Sequence, residues 1–188
     1  MTDQTLDNVK IAILLANGFA EEEFAATQRR LLNAGAKVTV VSMENGLANG
    51  WHENGWGHYF PVDKGLSTAL AADFDALFVP AGSRHIERLA GQPHAGRFTR
   101  GFVDGNKPMV LSGEAVNLLI VADRAKGRTV VGAGVEACAA EEAGLSLVDE
   151  TTHTDVALMS MAGLATDDVA ETVVSHVAAN TEDVSEAA

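Results

Sequence analysis

The sequence has almost no cysteine: Cys138 is the only one among 188 residues. A single thiol excludes an intrachain disulfide and fits a reducing compartment. Positive charge is also scarce. Thirteen Lys and Arg stand against 26 Asp and Glu, a formal net charge of −13. Nucleic acid and anionic membranes recruit a basic face, so neither is expected as a partner. No apolar run reaches the length of a membrane span. The polar, acidic opening MTDQTLDNVK does not read as a secretory signal. A cytoplasmic protein is expected. Aromatics are sparse too, and unevenly placed: both tryptophans and the single tyrosine fall between residues 51 and 59.

What is present is a repeated change of period. KIAILLA (10–16) is an apolar run ending at Asn17-Gly18, which predicts a buried strand. AEEEFAATQRRLLNAG (20–35) places Phe24, Leu31 and Leu32 on one helical stripe, with Gly35 as the stop. KVTVVSM (37–43) is rich in β-branched residues and predicts a second strand. Residues 44–65 break the rhythm and read as a hairpin or excursion. FDALFVPAG (74–82) is a strand ending in a turn. SRHIERLAG and HAGRFTRGFVDG are helical, with a break near Pro93. PMVLSG is a strand followed by the helix EAVNLLIVADRA. RTVVGA is a strand and EACAAEEAG a short helix. LSLVDE and VALMSMAG read as strands, and DDVAETVVSHVAAN (167–180) as a closing amphipathic helix. The alternation predicts an α/β fold, a mostly parallel sheet with helices on both faces, in one domain. The expected limits are an arm at 1–8, the domain at 9–180 and a frayed acidic tail at 181–188.

The corner Ser112-Gly113-Glu114 sits where a strand turns into a helix, a place where many enzymes mount a nucleophile. Such an elbow holds a non-glycine residue in a conformation costing roughly 1–3 kcal/mol. Glycine adopts positive φ without that cost. The corner therefore reads either as a simple turn with Ser112 or Gly113 near the helix N-cap, or as an elbow that carries no nucleophile.

KIAILLANGFAEEEF, FDALFVPAG and KPMVLSGEAVNLL with KGRTVVG together resemble the DJ-1/PfpI family, of the class I glutamine amidotransferase-like superfamily. The resemblance runs from about residue 9 to 180 and implies a flavodoxin-like fold. Members include thiol enzymes described as proteases, glyoxalases or deglycases, chaperone-like stress proteins, and members without assigned activity. Similar proteins carry a cysteine at the corner. Counted from Pro108 and back from Gly127, that position is Gly113, and the histidine that usually follows is Glu114. A one-residue slip puts Ser112 in the role, although alternation along a strand points it to the opposite face. The corner is similar to that of the C-terminal domain of large-subunit catalases, which has no reactive cysteine.

The resemblance aims Glu23 at the corner, flanked by Glu21 and Glu22. Carboxylates in a helix's first turn also simply face its positive end, and the same holds for Glu114. If Glu23 and Glu114 converge, one pKa rises, giving an acid/base pair or a metal site. The expected donors to Glu23 are the N–H groups at the Gly113-Glu114 helix start, a protonated Glu114, or a bound ligand or water. Ala81-Gly82 matches a turn whose backbone N–H helps build an oxyanion hole. His85 follows that turn and is the histidine best placed to approach the corner. His153 reads as a loop residue, and Cys138 as structural. His52 and His58 lack a metal-binding spacing. Trp51, Trp56, Tyr59 and Phe60 suggest a lid over the pocket or a subunit contact.

The expected protein is a non-thiol, ligand-binding or stress-associated homodimer with no cofactor and no metal. An enzyme using Glu23, Glu114 or Ser112, as hydrolase, lyase or deglycase, is the alternative. A structural or partner-binding module is the third reading.

Overall fold

The computed structural model describes residues 5–132 and 134–185. In chain order it begins with β1 (Lys10–Leu15), β2 (Phe19–Ala20), α1 (Glu21–Asn33) and β3 (Lys37–Ser42). The hairpin β4 (Leu47–His52) and β5 (Gly55–Pro61) follows, then β6 (Lys64–Gly65) and β7 (Ala76–Val79). Next come α2 (Ser83–Ala90), α3 (Pro93–Asp104), β8 (Met109–Ser112) and α4 (Leu118–Val121). The chain closes with β9 (Thr129–Val131), α5 (Ala137–Ala143), β10 (Ser146–Val148), β11 (Thr152–Asp155), β12 (Leu158–Met161) and α6 (Thr166–Ser185).

Seven strands form the main sheet in the order β11-β12-β8-β7-β1-β3-β6. All neighbouring pairs are parallel except β11 with β12. A parallel sheet covered on both faces has no solvent side, so its strands read as continuous apolar runs. β1 shows this: every residue after Lys10 is buried. Alternation then divides the core in two. Ala12, Leu14, Leu77, Val79 and Leu111 pack beneath α2, α3 and α4. Ile11, Ile13, Phe78 and Val110 pack beneath α1 and α6, against Phe24, Leu31 and Val173.

Several elements differ from expectation. Leu32 is about half exposed, since the buried stripe of α1 runs through Phe24, Thr27 and Leu31 instead. The helix expected after the corner is a 3-10 turn over Gly113–Asn117 followed by the single turn of α4. His153 lies in edge strand β11, not in a loop. The closing helix continues past Asn180 to Ser185. Of the arm placed at 1–8, Leu6 is fully buried and its N–H donates to Ala34 O at 2.6 Å. Residues 1–4 of that arm and 186–188 of the tail lie outside the described residues.

Candidate functional site

The direction of the sheet reverses at β1. The chain adds β3 on one side of β1 and β7 on the other. In open α/β sheets the crevice beyond the strand ends at such a switch point receives ligands. Three chain reversals meet there: Asn17-Gly18 after β1, Pro80-Ala81-Gly82 after β7, and Ser112-Gly113 after β8. All three require glycine: Gly18 has φ 95°, and a Cβ on it would lie 2.6 Å from Arg84 Cβ. Gly82 has φ 132°, and a Cβ on it would lie 2.8 Å from Gly18 O. Gly113 has φ 52° and faces the Ala81 methyl, which a Cβ would meet at 3.2 Å.

Two carboxylates take adjacent backbone donors at this corner. Glu23 Oε1 accepts from Ala81 N–H at 3.0 Å, and Glu114 Oε2 accepts from Gly82 N–H at 3.1 Å. Glu23 is held above the usual carboxylate range. Burial is the main cause, and the nearby Glu114 charge adds to it. Hydrogen bonds from Ala81 N–H and the Ser112 hydroxyl pull the other way. The expected donors at the start of the Gly113-Glu114 helix are therefore replaced by Ala81 and Ser112. The Gly82 donor expected to serve an oxyanion is engaged by the protein's own Glu114.

Ser112 was expected to point away from the corner, on the face opposite Gly113. It is buried and shares the Val110 face of β8. Because α1 begins on that same face, its hydroxyl nevertheless meets Glu23. His85 meets the corner on its Pro80–Gly82 side, where a Cβ on Gly82 would lie 3.1 Å from its Cδ2. Its ring is buried behind the turn, with Nε2 donating to Pro80 O at 2.7 Å and Phe19 edge-on at 6.5 Å. Burial lowers its pKa to about 4, against the opposing effect of bonds to the backbone of Pro80 and Ala81. A neutral imidazole here braces the Pro80–Gly82 turn.

The least anticipated contact ties the aromatic hairpin to α1. Glu21 Oε2 accepts from His58 N–H at 2.7 Å, and its Oε1 lies 2.5 Å from His58 Nδ1. Burial raises the Glu21 pKa, but the His58 bonds and the charges of His58 and His52 outweigh it and leave it lowered. The carboxylate rests in a glycine cradle. A Cβ on Gly57 would lie 1.7 Å from Glu21 Oε2, and one on Gly50 would lie 2.6 Å away. Beside it His52 Nδ1 is 3.4 Å from Glu22 Oε1. Trp51 packs edge-on against Trp56 and beneath the Arg84 guanidinium, 4.1 Å from its ring centre. The usable signal was glycine inside strand patterns, which marks close approach. Cys138 is exposed on α5. His153 pairs with Glu150 at 3.1 Å, two strands away from β8.

The DJ-1/PfpI family model matches residues 9–175. The chain belongs to the DJ-1/PfpI family. Among its relatives is the "Putative cysteine protease YraA" of Bacillus subtilis, 32% identical over 125 residues, covering 65% of this chain and 70% of that one. An uncharacterized protein of Staphylococcus aureus is 31% identical over 149 residues, covering 78% and 84%. The ThiJ/PfpI domain protein from Brachyspira murdochii superposes with a TM-score of 0.80 at 19% identity, over 92% of this chain and 98% of that one. At that identity the likeness shows the flavodoxin-like fold alone. In this chain the corner has Gly113 at its apex. Among the described residues no helix is long and apolar enough to cross a membrane.

Proposed function

We propose that this chain is a DJ-1/PfpI protein that works without a thiol nucleophile, binding a small molecule at the corner between β7 and β8. One observation carries the reading. Gly113 occupies the apex, and the N–H groups of Ala81 and Gly82 beside it are engaged by Glu23 and Glu114. A thiol enzyme needs a nucleophile at the apex and an available donor for the developing oxyanion. Here the only thiol, Cys138, is on α5. A ligand-binding, stress-associated role in the cytoplasm fits these features. So does a homodimer, with the exposed Trp56 and Tyr59 of the hairpin as the contact.

The test is a fragment screen by amide NMR on the intact protein, before and after alkylation with iodoacetamide. Fragments should move the Ala81, Gly82 and Gly113 amides equally in both samples. Loss of those shifts on alkylation, or no fragment reaching the corner, would refute the reading. Light scattering at micromolar concentration should return twice the chain mass. A monomer mass would leave the hairpin aromatics as an intrachain cover.

A second reading keeps catalysis. It draws on the Ser112 hydroxyl bonded to a Glu23 carboxyl whose pKa is raised, chiefly by burial. A carboxyl tuned upward and touching a hydroxyl is a candidate general acid/base. A hydrolase, lyase or deglycase activity abolished by both Glu23→Gln and Ser112→Ala, with the fold retained, would favour it.

A further inference from the structure

Beside the corner, between α2 and the segment leading into α4 and α5, lies a cavity of about 360 Å³. At ~30 Å³ per water-sized group it has room for about a dozen such groups. Its volume is in the range of small-molecule sites. Ile86, Ile120 and Val121 supply apolar walls. Its polar side chains are Ser83, Glu87, Glu114 and Asn117. Among the described residues lining it none is Lys, Arg or His.

Apart from the Ser83 hydroxyl, which can donate or accept, the polar side chains present acceptors to the cavity. Asn117 Nδ2 donates to Glu114 O at 2.9 Å and to Gly134 O at 3.0 Å, so the amide offers its oxygen. Glu114 uses Oε2 for the Gly82 N–H, which anchors the side chain and leaves Oε1 to accept again. Gly134 presses on that side chain, since a Cβ there would lie 2.6 Å from Glu114 Cγ. Glu87 is exposed and adds a second acidic group. A ligand that brought further acceptors would face unpaired oxygens and like charge. One that brings N–H donors and positive charge on an apolar body matches the two carboxylates, the Asn117 oxygen and the apolar walls, and the Ser83 hydroxyl can accept from it.

We infer that this cavity binds a small organic cation, an ammonium or guanidinium group carried on an apolar body, with Glu114 as its anchor. The inference rests on the reading of the corner as a ligand site and names the class of ligand. The test compares 2-phenylethylamine, 2-phenylethanol and 3-phenylpropanoate on the intact protein, followed by calorimetry and by the Gly82 amide and the Ile86 and Ile120 methyl resonances. The amine should bind at least tenfold tighter than the alcohol, and the carboxylate should not bind. Glu114→Gln should weaken the amine at least tenfold and leave the alcohol little changed. Ala90→Leu, which fills the cavity from an exposed helix position, should block the amine and the alcohol alike. Carboxylate binding equal to or tighter than amine binding would overturn the ligand class while leaving the corner as a site. An amine affinity indifferent to both variants would overturn the location. Failure of all three probes would overturn the inference itself. The broader reading is then decided separately by fragment shifts at Ala81 and Gly113 and their response to alkylation.

Discussion

Glu23 carries the sharpest balance of forces at a single residue. Burial and the Glu114 charge favour its neutral form, while Ala81 N–H and the Ser112 hydroxyl favour the carboxylate. Burial wins, so its folded pKa lies above its unfolded value. The stability it contributes is therefore full below the unfolded pKa and is lost as pH rises through the folded one. Glu23→Gln keeps an oxygen to accept from Ala81 and carries no charge to desolvate. The variant should be more stable than the wild type at pH 8 by urea denaturation, with the gain vanishing towards pH 4. A Glu23→Gln protein less stable at pH 8 would mean that the charged acceptor is the preferred form. The family resemblance already aims Glu23 at the corner. Its donors were not legible, because alternation along β8 separates Ser112 from Gly113 and says nothing of which face α1 begins on.

At the scale of elements, period and turn residues were enough to place most strands and helices. The failures are physical. The segment after Gly113 reads as a long helix in sequence because its apolar residues satisfy a helical pattern. In the fold it must turn back within one α-turn, and it ends near Asp123, which itself has positive φ. The hairpin was legible as an interruption, but its attachment was not. Glu21 and His58 are 37 residues apart in sequence, and no local pattern joins them. That attachment is a clamp with a direct readout, because both tryptophans of the chain lie in β4 and β5. Gly57→Ala puts a methyl where Glu21 Oε2 rests and should expel the carboxylate. Losing a charge-assisted bond to the His58 N–H costs about 2 kcal/mol. Tryptophan emission should shift to the red and the denaturation midpoint should fall, with helical circular dichroism largely kept. Unchanged emission and stability would mean that Glu21 does not hold the hairpin.

For the molecule as a whole, acid should act first through histidine. The parallel sheet and its two helical layers bury His85 completely and His176 nearly so. His176 Nε2 donates to Ala157 O at 2.8 Å, and burial lowers its pKa. His85 falls from an ordinary 6.5 to about 4, also through burial. A base whose folded pKa is depressed contributes stability that is full above the unfolded pKa and is lost as pH falls through the folded one. For His85 the window is pH 6.5 to about 4, worth about 3 kcal/mol at 1.36 kcal/mol per unit. His176 acts in the same direction. Glu23 opposes them, since its raised pKa lets the fold take up a proton favourably as pH falls. Unfolding free energy should therefore decline between pH 6.5 and 4.5, by less than the histidines alone would give. His85→Gln should flatten the profile, and the His85 ring resonance should stay in its neutral position down to pH 5. If that resonance titrates near 6.5, the ring is not enclosed, and the Pro80–Gly82 turn that presents both corner donors loses its brace.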